Sequence, residues 1–312
     1  MEDAKTNPAC ADAIVDRFED AGFREVEESL AVEEPLEIRI VYGAPGDRRT
    51  KSISVTMRTP GNDAELAAGF LFTEGVIRDV DDIDRIFTSS FDSIGVDSSP
   101  DANGGREQLV IPGKEAQNVV TLELASRVRV SENNLQRNFY TTSSCGVCGK
   151  ASLLALRTVC PPRVQSEFTI DPRMLLGLPA RLREVQGIFE RTGGLHAAAL
   201  FDANGAMDSV CEDVGRHNAV DKLLGAALLA DRIPLRDRLL LLSGRASFEL
   251  VQKAVMGGIP MIAAVGAPSS LAVQVAREFD VTLAGFLRDG RFNIYHGASR
   301  IRGAKADMNS SR

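Results

Sequence analysis

The sequence predicts an α/β protein (α+β overall), in which a smaller strand-rich N-terminal domain precedes a layered α/β sheet domain. Much of the first 130 residues consists of segments in which apolar and polar residues alternate, which is typical of half-buried strands. From residue 145 onward, short apolar runs alternate with segments of helical periodicity, as in a sheet covered by helices. We therefore expect a mobile acidic head over 1–22, an N-terminal domain over 23–138 and a C-terminal domain over 139–312.

The N-terminal domain is predicted to be a sheet with one helix. Asn62 is the predicted N-cap of that helix, which runs from Asp63 to a stop at Gly75. A polar stretch rich in Gly, Ser and Asp over 87–105 is predicted to be a loop. The predicted strands are 35–42, 51–57, 107–111 and 118–124.

The C-terminal domain is predicted to alternate helices and strands. The helices are predicted over 146–158, 171–192, 217–230, 248–257 and 269–279. The strands are predicted over 195–201, 206–212, 238–243, 260–265, 281–286 and 291–295. Short apolar strands joined by helices favour parallel pairing with helices on the sheet faces.

Composition narrows the class of partner. The 312 residues carry a net charge of −7, of which residues 1–37 contribute −9 and the remainder +2. The acidic balance and the absence of Trp argue against general nucleic-acid binding. No signal-peptide pattern or membrane-length apolar run occurs, and five cysteines are too few for a disulfide scaffold. We expect a cytoplasmic protein with reduced thiols and with neither nucleic acid nor membrane as partner.

The segment "TTSSCGVCGKAS" (141–152) contains a C-x-x-C pair, Cys145 and Cys148. A zinc site would need further ligands, and a deaminase-type site would need a His/Cys-x-Glu pair upstream, whereas all three histidines lie downstream. A helix start favours thiolates, because free N–H groups and the helix dipole lower a thiol pKa. The context favours a nucleophilic thiolate over a metal site, a disulfide shuttle or two buried structural cysteines.

Three later segments, 211–225, 239–258 and 263–276, each read as strand, polar loop and helix. If their strands are parallel, the loops open at one sheet edge, where helix N-termini with Arg216 and Arg245 suit phosphate groups. The alternative is ordinary helix capping beside solvated charges. Asp221 and Lys222 are predicted on the exposed side of their helix, and Glu249 is predicted to pair with Lys253.

A predicted hairpin ends the C-terminal sheet. Arg288 and Arg291 flank a turn at Asp289–Gly290 and would present two guanidinium groups. The alternative is a solvated edge hairpin.

Five stretches together resemble the FdhD family of formate dehydrogenase accessory sulfurtransferases. They are "RTPGNDAELAAGFLFTEG", "SSCGVCGK", "CEDVGRHNAVDKLLG", "SGRASFELVQKAV" and "TLAGFLRDGRFNIY". The resemblance implies a dimeric sulfur carrier whose C-terminal half is similar to the cytidine deaminase fold without its zinc site. It also implies that a cysteine desulfurase donates sulfur as a persulfide. The carrier then passes that sulfur to a molybdenum cofactor, bis-molybdopterin guanine dinucleotide, destined for formate dehydrogenase.

The same resemblance implies residue roles. Cys145 would carry the persulfide, with Cys148 as helper or second acceptor. The cofactor-binding stretch would be Phe286, Leu287, Arg288, Asp289, Gly290 and Arg291, to which we add Arg216, His217, Ser243 and Arg245. No resident metal is expected. A non-catalytic cofactor chaperone and a zinc-dependent deaminase-like hydrolase remain the alternatives.

Overall fold

The computed structural model describes residues 7–19, 22–89, 118–130 and 166–304. Its strands are β1 (Cys10–Glu19), β2 (Gly22–Ala31), β3 (Glu34–Tyr42), β4 (Arg49–Arg58), β5 (Ile83–Ser89), β6 (Val119–Leu124), β7 (His196–Phe201), β8 (Met207–Asp213), β9 (Leu239–Leu242), β10 (Met261–Ala264), β11 (Thr282–Arg288) and β12 (Arg291–His296). Its α-helices are α1 (Asp63–Thr73), α2 (Pro172–Val185), α3 (Gly187–Thr192), α4 (Arg216–Leu229), α5 (Phe248–Met256) and α6 (Ser270–Glu278).

A four-stranded sheet in the order β4-β3-β6-β5 forms the N-terminal body. Alternate side chains of β3, namely Leu36, Ile38 and Ile40, are fully buried, and α1 covers them with Leu66 and Leu71. The predicted strands 35–42, 51–57 and 118–124 are confirmed within one or two residues. The predicted strand 107–111 lies outside the described residues.

A six-stranded sheet in the order β12-β11-β10-β9-β7-β8 forms the C-terminal body. Strands β9, β10 and β11 are parallel, while β7, β8 and β12 are antiparallel to their neighbours. Leu240 and Leu242 of β9 pack in a core with α4, α5 and α6, whereas Leu239 and Leu241 pack in the core that contains α2. The predicted layered sheet with helices on both faces is confirmed. The specific likeness to cytidine deaminase stays a prediction.

Three differences from the sequence prediction concern secondary structure. The acidic head was predicted to lack regular structure, but β1 and β2 form an antiparallel hairpin. Cross-strand ion pairs such as Arg17–Glu28, at 2.8 Å, stabilise this hairpin, and a single strand's periodicity cannot reveal them. Strand β5 includes residues 87–89, which were assigned to a loop, and the predicted helix 171–192 is two helices that meet at Gln186. The predicted domain boundary at 138–139 lies outside the described residues.

The two bodies meet where α1 crosses α4 at Gly69 and Gly225. A Cβ atom built on Gly225 would lie 1.8 Å from the Glu65 carbonyl oxygen, and one on Gly69 would lie 1.9 Å from the Asp221 carbonyl oxygen. Only glycine permits this approach, because any side chain would enter the opposite backbone. The helices therefore hold the N-terminal body against the sheet that carries the candidate site.

Candidate functional site

One edge of the six-stranded sheet gathers the three loops that the sequence singled out. Strands β8, β9, β10 and β11 all end at this edge, and β7 begins there, since His196 lies directly opposite Asp213 of β8. The prediction that the three loops open at the same edge is confirmed. This edge is where open α/β sheets bind ligands.

Backbone hydrogen bonds connect the loops that follow β9 and β10 with each other and with the bulged part of β11. The Gly266 amide donates to the Gly244 carbonyl at 2.9 Å, and the Phe286 amide donates to the Gly266 carbonyl at 3.0 Å. A Cβ atom on Gly266 would lie 3.0 Å from the Gly244 oxygen, so a side chain there would push the loops apart. The chain thus forms a continuous hydrogen-bonded platform across three strand ends.

The β11–β12 hairpin carries a strained backbone residue, Phe286. Phe286 has φ of 54°, a left-handed conformation that is a genuine outlier for a bulky residue, and the pairing register shifts between Gly285 and Arg288. The bulge places the Arg288 guanidinium carbon 5.9 Å from the centre of the Phe286 ring. Asp289 and Gly290 form the turn with φ of 54° and 71°, as the sequence predicted.

Side-chain burial differs along the predicted cofactor-binding stretch, which itself stays a prediction. Leu287 is 0% exposed and belongs to the core beneath the sheet, so its side chain anchors the hairpin instead of facing a ligand. Arg288 and Arg291 lie opposite each other across the turn, and both are exposed. The two arginines, the exposed turn at Asp289–Gly290 and the strained Phe286 are therefore the parts of the hairpin that a ligand can reach.

Asp213, at the end of β8, shapes the turn into α4. Its buried carboxylate accepts hydrogen bonds from the Gly215 amide at 2.7 Å and the Asn218 side-chain amide at 3.0 Å, and it pairs with Lys222 at 2.7 Å. Gly215 is the N-cap of α4 and provides no side-chain cap. Within the described residues, the first turn therefore keeps free N–H groups beside the cation Arg216.

Arg216 has the chemistry of an anion-binding residue. Its Nε atom is buried and has no hydrogen-bond partner within the described residues. A buried donor without a partner is costly, so such a group marks a place where a ligand can complete the hydrogen bonding. A phosphate oxygen at the α4 N-terminus would meet both the free amides and this guanidinium.

His217 contacts Glu249, a residue for which the sequence predicted a different partner. Its Nε2 atom lies 2.7 Å from the Glu249 carboxylate and 3.3 Å from the Ser247 hydroxyl. This hydrogen bond from His217 lowers the pKa of Glu249, and burial opposes the shift. Glu249 was predicted to pair with Lys253, and this prediction is wrong, because Glu249 contacts His217 instead.

Lys253 instead contacts Asp221 at 2.9 Å, and Asp221 also accepts from Thr73 of α1 at 2.9 Å. Asp221 and Lys222 were predicted to be exposed, and both are buried. Their helix face is covered by α1 and the β4–α1 connection, which periodicity within α4 cannot show. Burial lowers the pKa of Lys253, but the facing carboxylates of Asp221 and Glu74 overcome that effect and raise it.

His196 is a site residue that the sequence did not single out, since only its position at a strand start was visible. Burial lowers its pKa, and the positive charges of Arg216 and His217 lower it further, while Asp213 opposes them. His196 lines a cavity of about 620 Å³ with residues of α2, α3 and the β9 loop, including Ser243. The Ser243 hydroxyl accepts a hydrogen bond from the Ala197 amide at 2.8 Å.

The remaining predicted site residues divide into two groups. Arg245 is exposed on the β9 loop at the same edge. Cys145 and Cys148 lie outside the described residues. In the part of the chain that the structure describes, no three His, Cys, Asp or Glu side chains gather as metal ligands. No helix of these ranges is long and apolar enough to cross a bilayer.

Comparisons with known proteins agree with the resemblance seen in the sequence. Residues 31–302 match the model of the FdhD/NarQ family. A protein named sulfur carrier protein FdhD from Streptomyces coelicolor is 47% identical over 91% of this chain and 93% of its own length. A protein of the same name from Mycolicibacterium paratuberculosis is 50% identical over 88% of this chain and 92% of its own length.

The fold also has a counterpart among solved structures. A crystal structure from Desulfotalea psychrophila, described as that of a formate dehydrogenase accessory protein, has a TM-score of 0.67. The match covers 94% of this chain and 100% of that protein at 23% identity, so it supports the fold alone.

Proposed function

Since the chain belongs to the FdhD/NarQ family, we propose that it is a sulfur carrier for the maturation of formate dehydrogenase. It accepts sulfur from a cysteine desulfurase as a cysteine persulfide. It then passes the sulfur to the molybdenum cofactor, bis-molybdopterin guanine dinucleotide, before that cofactor enters the enzyme. The observation that carries the proposal is the identity of 47% and 50%, over most of the chain, to relatives named sulfur carrier protein FdhD.

The proposed sulfur-bearing atom is the Sγ of Cys145, with Cys148 as helper or second acceptor. The Cys145 thiolate attacks the terminal sulfur of the desulfurase persulfide, so a new S–S bond forms on Cys145. The bond to the desulfurase cysteine breaks in the same step, and that cysteine leaves as a thiolate. The support for this assignment is the sequence context, in which the pair precedes a strong helix-forming segment.

The proposed cofactor site is the gathered sheet edge. The guanine dinucleotide arms of the cofactor carry pyrophosphates, which suit helix N-termini and arginines. The orphaned Arg216 Nε, the uncapped first turn of α4 and the Arg288–Arg291 hairpin supply donors of this kind. We assign Phe286, Arg288, Asp289, Gly290 and Arg291 to the guanine nucleotide arms.

Mass spectrometry tests the sulfur step. After incubation with a cysteine desulfurase and cysteine, the 141–152 peptide should gain the mass of one sulfur atom. Cys145→Ala should abolish sulfur delivery, whereas the matched variant Cys211→Ala should leave it unchanged. Burial raises the pKa of Cys211 to about 11, which keeps its thiol protonated and unreactive. Normal delivery by Cys145→Ala, or normal formate dehydrogenase activity with both cysteines of the pair replaced by Ala, would contradict the proposal.

Titration with GDP tests the cofactor site. Arg288→Ala/Arg291→Ala should weaken GDP binding about tenfold or more, because two charge-assisted contacts are removed. The control Arg277→Ala/Arg302→Ala removes two exposed arginines away from this edge and should bind as wild type. Equal affinity of the two double variants would remove the hairpin from the site.

A further inference from the structure

The β1–β2 hairpin is a surface that the proposed chemistry does not use. Residues 7–30 precede the region that matches the family model, and the hairpin is a two-stranded ribbon with no other strand beside it in the described residues. Such a ribbon is marginal by itself. Its base contacts α3, and a Cβ atom on Gly194 would lie 3.4 Å from the Cβ of Ala31. Because Gly194 also lines the cavity beside His196, the ribbon projects from the rim of the candidate site.

The two faces of the ribbon differ in charge. On one face, Arg17 pairs with Glu28 at 2.8 Å and Arg24 pairs with Glu19. We call the opposite side the acidic ribbon face. It consists of Asp12, Ile14, Asp16 and Phe18 of β1 and, opposite them, Ser29, Glu27, Glu25 and Phe23 of β2.

The acidic ribbon face combines exposed apolar groups with uncompensated negative charge. Ile14, Phe18 and Phe23 are 76%, 61% and 77% exposed, and the two rings pack with centroids 5.1 Å apart. Asp16 lies directly opposite Glu25, a like-charge pair that destabilises an isolated ribbon. Within the described residues, no Lys or Arg pairs with the carboxylates of this face.

We propose that the acidic ribbon face docks the protein that receives the cofactor, through an apolar patch bordered by Lys and Arg side chains. Charge complementarity supports a partner of this chemistry, because a basic surface would compensate all four carboxylates while it covers the aromatic pair. A second copy of the same face would bring eight carboxylates together. The inference rests on the proposed function, since it takes the formate dehydrogenase apoenzyme as the recipient that must approach the cofactor site.

Binding of the full-length protein to purified formate dehydrogenase apoenzyme, followed by biolayer interferometry, tests the apolar part. Phe18→Ser/Phe23→Ser should weaken binding at least about tenfold, because exposed aromatic pairs act as hot spots. The control Leu30→Ser/Val55→Ser changes two exposed apolar residues outside this face and should bind as wild type. Thermal melting by circular dichroism should show that both double variants remain folded.

A second double variant tests how the carboxylates of the acidic ribbon face contribute to binding of the apoenzyme. Asp16→Asn/Glu25→Gln should slow association about three- to tenfold at low salt, and the difference should vanish at high salt. The control Asp81→Asn/Asp231→Asn makes the same change in net charge at exposed positions elsewhere and should associate as wild type.

Three outcomes would overturn the docking surface. They are wild-type affinity in both ribbon variants, a wild-type protein that does not bind the apoenzyme, and a homodimer in sedimentation that Phe18→Ser/Phe23→Ser dissolves. The last result would assign the face to a second copy. Persulfide loading of Cys145 distinguishes a failure of the docking surface from a failure of the proposed sulfur transfer. The ribbon variants should load as wild type, and a wild type that never loads yet binds through Phe18 and Phe23 would overturn sulfur transfer alone.

Discussion

The crossing of α1 and α4 at glycine allows a sharp test of how the two bodies are joined. In Gly225→Ala, the new methyl carbon would lie 1.8 Å from the Glu65 carbonyl oxygen and 2.8 Å from the Gly69 nitrogen. Real Cβ contacts essentially never fall below 3.0 Å, so the helices must move apart by about 1.2 Å at this point. Neither backbone atom can rotate away as a side chain would.

The cost follows from what that separation disturbs. Overpacking of a core costs about 1–3 kcal/mol and occasionally more. Here the separation also stretches the buried hydrogen bond from Thr73 of α1 to Asp221 of α4, which is 2.9 Å long. We therefore expect Gly225→Ala to lower the free energy of unfolding by about 3 kcal/mol, the upper part of that range.

Urea unfolding followed by circular dichroism at constant slope measures the change. Gly177→Ala is the matched control, because its Cβ atom would meet nothing within 4 Å in the interior of α2. The control should stabilise the protein by about 0.5–1 kcal/mol, since alanine restricts the unfolded chain and favours helix. A Gly225→Ala protein within about 0.5 kcal/mol of wild type would refute the close backbone contact.

Two further predictions concern buried charge. Lys253→Met should destabilise the protein by about 3–5 kcal/mol because it leaves Asp221 buried without its cation, and Lys253→Met/Asp221→Leu should recover most of that loss. If urea unfolding shows that the double variant is no more stable than Lys253→Met alone, this prediction is wrong. In NMR titration, His196 should have a pKa below its ordinary 6.5, and Arg216→Gln should raise it. Neutral His196 then stabilises the fold above pH 6.5, and this contribution is lost as the pH falls through the lower folded-state pKa. A midpoint at or above 6.5 would refute the burial of His196 beside cations.

Much of the fold was predictable because its signals are local. The Asp289–Gly290 turn and the strand–loop–helix units around β8, β9 and β10 are specified by residues adjacent in sequence. Since β9 and β10 are short and apolar on both faces, the pattern favoured parallel pairing, and the shared loop edge was expected on that condition. The β1–β2 hairpin escaped prediction because each strand mixes charged and apolar residues on both faces, and only cross-strand pairing makes it regular.

The sequence by itself determined the family resemblance, the layered α/β sheet and the arginines at the edge where its loops gather. The family rests on the resemblance of five stretches, and the sheet and the arginines rest on residue type and local periodicity. Only the tertiary structure decided which charged groups are paired with one another. Asp221 and Lys222 are buried because α1 and the β4–α1 connection cover them, while the Arg216 Nε has no partner among the residues that the structure describes. His196 joins that edge because antiparallel pairing places it opposite Asp213. Contacts of this kind join residues far apart in the chain, and spacing along a single sequence does not record them.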